Sequence, residues 1–328
     1  MLTIFSTAKL FRGHVGLTQR NALKSWTLLH PNCEVILFGD EPGSREAATE
    51  LGIRHEPDAL RGEYGGTRLD YIFARAQEIA RHDLLCYANC DIVFLRSFAE
   101  AVSRVADWSP KFLMVGCRWD TPVTRSLDFE ANDWEPRLRE FAVRVGKRQL
   151  PYAVDYFAFS RGLYEAIPPF VVAKTHWDHW MIWKARSTKV PVVDASADVL
   201  AIHQNHDPTG HAGDFEALRT DPEFQRNRAL AGGQLHLYTI DHATHQLVDG
   251  RIKRRSGRWH VPLTSLARVY SSQLWYRSLK ATHGIRRAVG LNRASFADAS
   301  AASIPSKRVE SAQPMRLVQN SPNRERGL

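Results

Sequence analysis

The sequence lacks any apolar run approaching the ~20 residues a membrane-spanning helix needs. Its first residues, "MLTIFSTAKLFRGH", carry neither the apolar core nor the small-residue cleavage pattern of a secretory leader, so the protein is expected to be made and kept in the cytoplasm. Cysteine is scarce. The four present, Cys33, Cys86, Cys90 and Cys117, form no CxxC pair and fall on or beside apolar runs. That spacing points to buried thiols in a reducing compartment and argues against a disulfide framework or a zinc site. Neither GxGxxG nor GxxxxGKS/T occurs, which removes the Gly-rich phosphate cradles of dinucleotide dehydrogenases and P-loop enzymes. No internal repeat is visible.

What is present is an ordinary globular composition, 44% hydrophobic over 328 residues, enough to bury a sizeable core. The net charge of +9 is unevenly placed. From residue 251 onward there are 16 Lys and Arg against 3 Asp and Glu; residues 1–250 hold 28 against 32. The basic character therefore belongs to the tail. Within it, "RIKRRSGR" precedes a stretch in which Leu263, Leu266, Val269, Tyr270 and Leu274 fall near one helical stripe, so residues 251–283 read as a basic amphipathic extension. Such a helix suits either an anionic leaflet or a packed position on the body of the protein. No nucleic-acid reading motif accompanies the charge. Residues 284–328, poor in large apolar side chains and rich in Ser, Ala, Pro and Arg, read as a disordered tail.

The first ninety residues alternate strand and helix patterns. "LTIFST", "CEVILFGD" and "DLLCYANCDIVFL" are apolar runs suited to strands buried on both faces. "GLTQRNALKSWTLLH", "SREAATELGI" and "TRLDYIFARAQEIARH" carry helical spacing between them, with "RHEPD" as a further strand site. The order predicts an α/β fold with a doubly wound, mostly parallel sheet. Further on, "KFLMVGC", "VDYFAFS" and "DVLAIHQNHD" read as strands, and "RGLYEAI" and "HWDHWMIWKAR" as helices. One catalytic domain over residues 1–250 is expected.

Strand ends are where open α/β sheets bind ligands. The first ends in "FST", the second in "FGD", and the run from Leu84 breaks at Asn89-Cys90-Asp91. An Asn and an Asp cannot lie unpartnered inside a buried strand. They mark its end, and the three ends together can line a crevice.

These segments, with "GTRLDYIFARAQEIARHDLLCYANCDIVFL", "VDYFAFSRGLY", "WDHWMIWKA" and "IHQNHD" in that order, resemble the body of a GT-A fold glycosyltransferase over roughly residues 2–210. More narrowly, they are similar to bacterial and plant nucleotide-diphospho-sugar transferases. The resemblance implies a sheet ending in a DxD motif that holds Mn²⁺ or Mg²⁺ against a nucleotide-sugar diphosphate. Here Asn89-Cys90-Asp91 keeps only the last acid of that motif, and the resemblance makes Asp91 the metal ligand. It also implies a late histidine ligand, which "AIHQNHD" would supply as His203 or His206; an imidazole ligand favours Mn²⁺ over Mg²⁺.

Nucleotide contacts are expected from Phe5, Ser6 and Thr7, from Asp40, from Arg68 and from Asn89. For displacement at the anomeric carbon with inversion, a carboxylate must take the acceptor hydroxyl's proton. Asp178, among the aromatics of "THWDHWMIW", is the expected base, and Asp155 in "YAVDYFAFS" a sugar-hydroxyl contact. Trp177, Trp180 and Trp183, at i, i+3 and i+6, equally suit plain core packing. The implied reaction moves a sugar from a UDP- or GDP-linked donor to a hydroxyl acceptor in a cell-surface polysaccharide or glycolipid. A nucleotidyltransferase is the enzymatic rival, and a non-catalytic nucleotide-binding or membrane-bound protein the other.

Overall fold

The computed structural model describes residues 1–172, 174–205 and 220–255, all within one compact unit. Strands β1 (Leu2–Thr7), β2 (Glu34–Phe38), β3 (Arg54–Glu56) and β4 (Leu84–Ala88) alternate with helices α1 (Gly13–Thr27), α2 (Ser44–Leu51) and α3 (Leu69–Ile79). The expected β-α-β-α-β-α-β succession is therefore present. Each strand is buried on both faces where it is central: β2 has no exposed residue, and in β1 only Thr7 is not fully buried.

Beyond β4 the chain forms β5 (Ile92–Val93), α4 (Arg96–Trp108), β6 (Leu113–Val115), β7 (Arg118–Thr121), α5 (Trp134–Val145), β8 (Lys147–Arg148) and β9 (Tyr156–Ser160). There follow α6 (Trp177–Ser187), β10 (Val192–Asp194), β11 (Ala201–Gln204), α7 (Pro222–Leu230), β12 (His245–Val248) and β13 (Arg251–Arg254). Helix α7 starts as its sequence dictates, with the Asp221 side chain accepting the Phe224 N–H and Pro222 in the first turn.

Nine strands form the main sheet in the order β13-β12-β10-β6-β9-β4-β1-β2-β3. All neighbours are parallel except at β9, which runs antiparallel to both β4 and β6, and at β13, antiparallel to β12. The result is the mixed α/β architecture, mostly parallel and flanked by helices, that the pattern predicts. Two apolar layers pack its faces, one around Trp26, Phe94, Phe98 and Tyr156, the other around Phe5, Phe73, Phe159 and Met181. A second sheet, β5-β11-β7-β8, packs against α5 through Val93, Leu138, Ala142 and Ile202. The Trp26 indole N–H, fully buried, donates to the Ile92 carbonyl at 2.8 Å and so ties α1 to the strand just after Asp91.

Two expectations change. "RGLYEAI" forms turns, because Gly162 takes φ +84° and Pro168-Pro169 follow at once; no helix fits between them. The sheet also runs past residue 250. Asp249 and Gly250, both at positive φ, make the two-residue turn that a DG pair favours, and Arg251–Arg254 becomes the edge strand β13. Its exposed basic side chains suit a sheet edge that must not pair further. The proposed amphipathic stripe and the tail beyond residue 255 lie outside the described residues.

Candidate active site

β1 lies between β2 and β4, so the crevice outside the carboxyl ends of β1 and β4 is the topological switch point of the sheet. A cleft of about 880 Å³ opens there. Its lining includes Thr7, Asn89, Asp91, Arg118, Asp155 and Asp178. On the β1 side, the chain after Thr7 is fixed by the Gln19 side chain, which accepts the Lys9 N–H at 2.6 Å and donates to the Lys9 carbonyl at 2.9 Å.

The antiparallel direction of β9 brings its first residues to this same edge. Tyr156 pairs with Ala88, and Asp155 therefore meets Asn89: the Asn89 N–H donates to the Asp155 carbonyl at 2.9 Å, and Asn89 Nδ2 to Asp155 Oδ1 at 2.7 Å. The small sheet supplies the rest. In the parallel β11–β7 pair His203 is in register with Asp120, and Arg118, two residues earlier, shares the Asp120 face of its strand. Arg118 Nη1 donates to Asp155 Oδ2 at 2.9 Å, while its Nε lies 2.9 Å from Asp120 Oδ1. His203 Nδ1 lies 3.0 Å from that Asp120 oxygen, and its Nε2 faces Asp91 Oδ2 at 3.8 Å. Gln149 Nε2 donates to the other Asp120 oxygen at 2.7 Å. A line of polar contacts thus runs from Asp155 through Arg118, Asp120 and His203 to Asp91.

Position sets the electrostatics. Burial pushes the Asp155 carboxyl up, and the neighbouring Arg118 and His203 offset only part of the rise. Burial also works against ionised Asp120, but the His203 and Arg118 contacts outweigh it and hold that carboxyl below the usual range.

The opposite wall is the first turn of α6. Asp178 lies there with its Oδ1 buried and without a hydrogen-bond partner among the described residues. The residue that caps this helix is unusual: His176 holds φ +86°, a costly conformation for a residue with a Cβ. Helix α7 holds this wall in place. Asn227, fully buried, accepts the Val171 N–H at 3.0 Å and donates to the Val171 carbonyl at 2.9 Å. Glu223 accepts the Gly66 N–H at 2.9 Å, and a Cβ on Gly66 would come within 2.6 Å of that carboxylate. Asp221 pairs with Lys174 at 2.6 Å.

Burial lowers His176, and likewise His242, to about 4. The His242 Nδ1 accepts the Thr239 N–H at 3.0 Å, a role open only to an unprotonated nitrogen. Both rings are neutral in the fold and become protonated in the unfolded chain near pH 6.5. Below that pH the unfolded state binds more protons, so stability falls from about pH 6.5 down to about pH 4. Thermal melts across this range should show the decline, and a His176→Asn/His242→Gln double variant should flatten it; an unchanged slope would exclude these two rings as its source.

The sequence-expected residues fall into four groups. Thr7, Asn89, Asp91, Asp155 and Asp178 line the cleft, and His203 stands behind Asp91. Phe5 is fully buried against Phe38, Phe73 and Tyr87, and Ser6 is equally buried with its hydroxyl donating to the Ala88 carbonyl at 2.6 Å. Asp40 is exposed, 3.6 Å from Arg61, and Arg68 makes a two-pronged pair with Asp70 at 2.8 and 2.6 Å; neither is among the cleft-lining residues. His206 lies outside the described residues. Trp177 packs on Tyr87 and Phe157, Trp180 on Phe170 and Trp183 on His236, so the tryptophans serve mainly the core.

Arg118 and Asp120 were not among the expected site residues. The signal for them was the alternation in "RWDT", which puts both charges on one face of a short strand after an apolar one.

No three His, Cys, Asp or Glu side chains among the described residues form a complete metal cluster. Asp91 and His203 offer two donors of types that Mn²⁺ accepts, and the remaining positions would fall to substrate oxygens and water.

No family model matches the chain, and no curated protein is a significant match. Among solved structures it is similar to glycosyltransferases. A mannosyltransferase of Pyrobaculum calidifontis, in complex with GDP-Man and Mn²⁺, is 13% identical, with 64% of this chain and 59% of that chain covered and a TM-score of 0.41. Glucosyl-3-phosphoglycerate synthase of M. tuberculosis, in complex with Mg²⁺ and uridine diphosphate, is 12% identical over 78% of this chain and 87% of that chain, with a TM-score of 0.42. S. aureus TarS is 11% identical at a TM-score of 0.37, with 58% of that chain covered. The chain thus spans less than two thirds of the mannosyltransferase and of TarS. Likeness of this degree assigns no role to any residue.

Proposed function

We propose that the protein is a glycosyltransferase that moves a sugar from a nucleoside-diphosphate donor, UDP or GDP linked, to a hydroxyl of a saccharide or glycolipid acceptor. The observation that supports this most is that Asp91, which lines the switch-point cleft across from Asp178, is met from behind by His203 at 3.8 Å. A divalent cation held by Asp91 and His203 would offset the negative charge that develops on the departing nucleoside diphosphate. Three of the four Lys and Arg side chains that line the cleft are already engaged, Lys9 being the fourth. Arg61, Arg118 and Lys174 each already face a carboxylate, at 2.7, 2.9 and 2.6 Å respectively.

The residues of the chain divide the remaining work. Thr7 and Asn89, at the ends of β1 and β4, border the nucleotide and diphosphate. Asp178, which lines the cleft, takes the proton from the acceptor hydroxyl as it attacks with inversion. Asp155 keeps Asn89 and Arg118 in place and presents what capacity remains to the donor sugar. A nucleotidyltransferase would need a basic phosphate loop after β1; there Lys9 lines the cleft but Arg12 does not.

The test is a thermal-shift screen of the full chain against UDP, GDP, CDP and adenine nucleotides with and without Mn²⁺, since a ligand that binds only the native state raises its melting temperature. A shift for one nucleoside diphosphate that requires Mn²⁺ is expected, followed by turnover of the matching nucleotide sugar. No shift with any nucleotide would overturn the reading, and binding without turnover of any donor would favour a non-catalytic role.

A further inference from the structure

We infer that Asp120 is a positioning residue for His203, holding the imidazole so that its Nε2 is delivered to the cation site beside Asp91. This rests on the glycosyltransferase reading above and adds to it a residue outside the metal pair.

The geometry is set by backbone register. In a parallel ladder partner residues project to the same side, and His203 and Asp120 are such partners, so the contact of 3.0 Å between Nδ1 and Asp120 Oδ1 follows from strand pairing. Asp120 is in turn held at Oδ2 by Gln149 Nε2, which donates at 2.7 Å, and its Oδ1 is ion-paired with Arg118 Nε at 2.9 Å without a hydrogen bond between them. Arg118 is anchored by Asp155, which also binds Asn89, the first residue of the turn that carries Asp91. Both ends of the line therefore close on the same turn. A carboxylate behind a histidine directs the proton of the neutral ring to the near nitrogen and leaves the far nitrogen as the donor, the arrangement that orients histidines in metal sites generally. The far nitrogen here is Nε2, the one that faces Asp91 at 3.8 Å.

A purely structural ion pair would explain the 3.0 Å contact equally well if nothing were asked of Nε2. The two roles separate in the spectrum of bound Mn²⁺. Electron spin-echo spectroscopy of the full-length protein with Mn²⁺ alone should show coupling to an imidazole nitrogen that disappears in His203→Ala. In Asp120→Ala, at Mn²⁺ high enough to saturate the site, that coupling should be lost or sharply weakened, and Mn²⁺ affinity by titration should fall about 10- to 100-fold, the usual effect of removing a group that orients a ligand. Asp120→Asn keeps an acceptor oxygen toward Nδ1 and should retain the nitrogen coupling, with affinity between the other two.

If Asp120→Ala keeps the wild-type coupling and affinity, the inference fails while the metal pair stands. If Asp120→Asn behaves as Asp120→Ala although both melt like wild type, charge and not ring orientation is what Asp120 provides, and the inference again fails. Wild-type protein that binds no Mn²⁺, or whose nitrogen coupling survives His203→Ala, overturns the proposed metal pair and this inference with it.

Discussion

Replacing Asp91 with Asn should leave the protein folded and remove its metal-dependent binding of nucleoside diphosphate. The fold should survive because the backbone role of Asp91 does not depend on its charge: its carbonyl accepts both the Gln204 N–H and the Gln204 side-chain amide, each at 3.2 Å, and Asn keeps that carbonyl. Binding should not survive. A neutral amide is a poor ligand for a hard divalent cation, and His203 alone cannot hold one against water. For wild-type protein, donor at 100 times its Kd contributes about 2.7 kcal/mol of stability. That gain should vanish in Asp91→Asn when Mn²⁺ and nucleotide are both present, while the melting temperature without ligand stays near wild type. Isothermal titration of the nucleotide with and without Mn²⁺ gives the same test directly. Equal affinity in the variant would remove Asp91 from the site.

The first half of the fold could be read from the sequence because its signals are local. β1, β2 and β4 are short apolar runs with polar punctuation, and α3 shows Leu69, Ile72, Phe73 and Ala76 on one face, all buried as the spacing requires. The second half hides its elements for identifiable reasons. β5 and β8 have two residues each, too few for any periodicity to show. Strand β9 carries a readable apolar run, but its direction depends on which neighbours it inserts between, a tertiary choice that no local pattern encodes. Helix α4 did carry a signal, with Phe98, Ala101, Val102 and Val105 at i, i+3, i+4 and i+7.

The site divides in the same way. Asp91 and Asp178 were legible because acids bordered by apolar or aromatic residues demand a partner or a purpose. Arg118 and Asp120 were not, since their importance comes from the register of β7 with β11, about eighty residues away in the chain. Asp40 and Arg68 show the converse: polar residues at a strand end or before a helix can simply find each other's kind, here Arg61 and Asp70.

Asp178→Asn tests the chemical step and should be the second large effect. Loss of a general base commonly lowers the rate about 10²- to 10⁴-fold. Nucleotide and Mn²⁺ affinity should not change, because Asp178 belongs to the α6 wall and the metal pair to the turn after β4 and to β11. Single-turnover release of nucleoside diphosphate from the donor, with saccharide acceptors or water, reads the step without interference from product release. Asp155→Ala provides the contrast. Arg118 would then keep Asp120 at 2.9 Å but lose its bond to Asp155, and the Asn89 amide would lose its acceptor, each unsatisfied donor costing about 1–3 kcal/mol. That variant should lose stability and activity together. An Asp178→Asn enzyme with wild-type turnover would leave Asp178 a helix first-turn acid that complements the dipole. It would also point to a retaining displacement, which needs no base at that position, and the anomeric configuration of the product would then decide between the two courses.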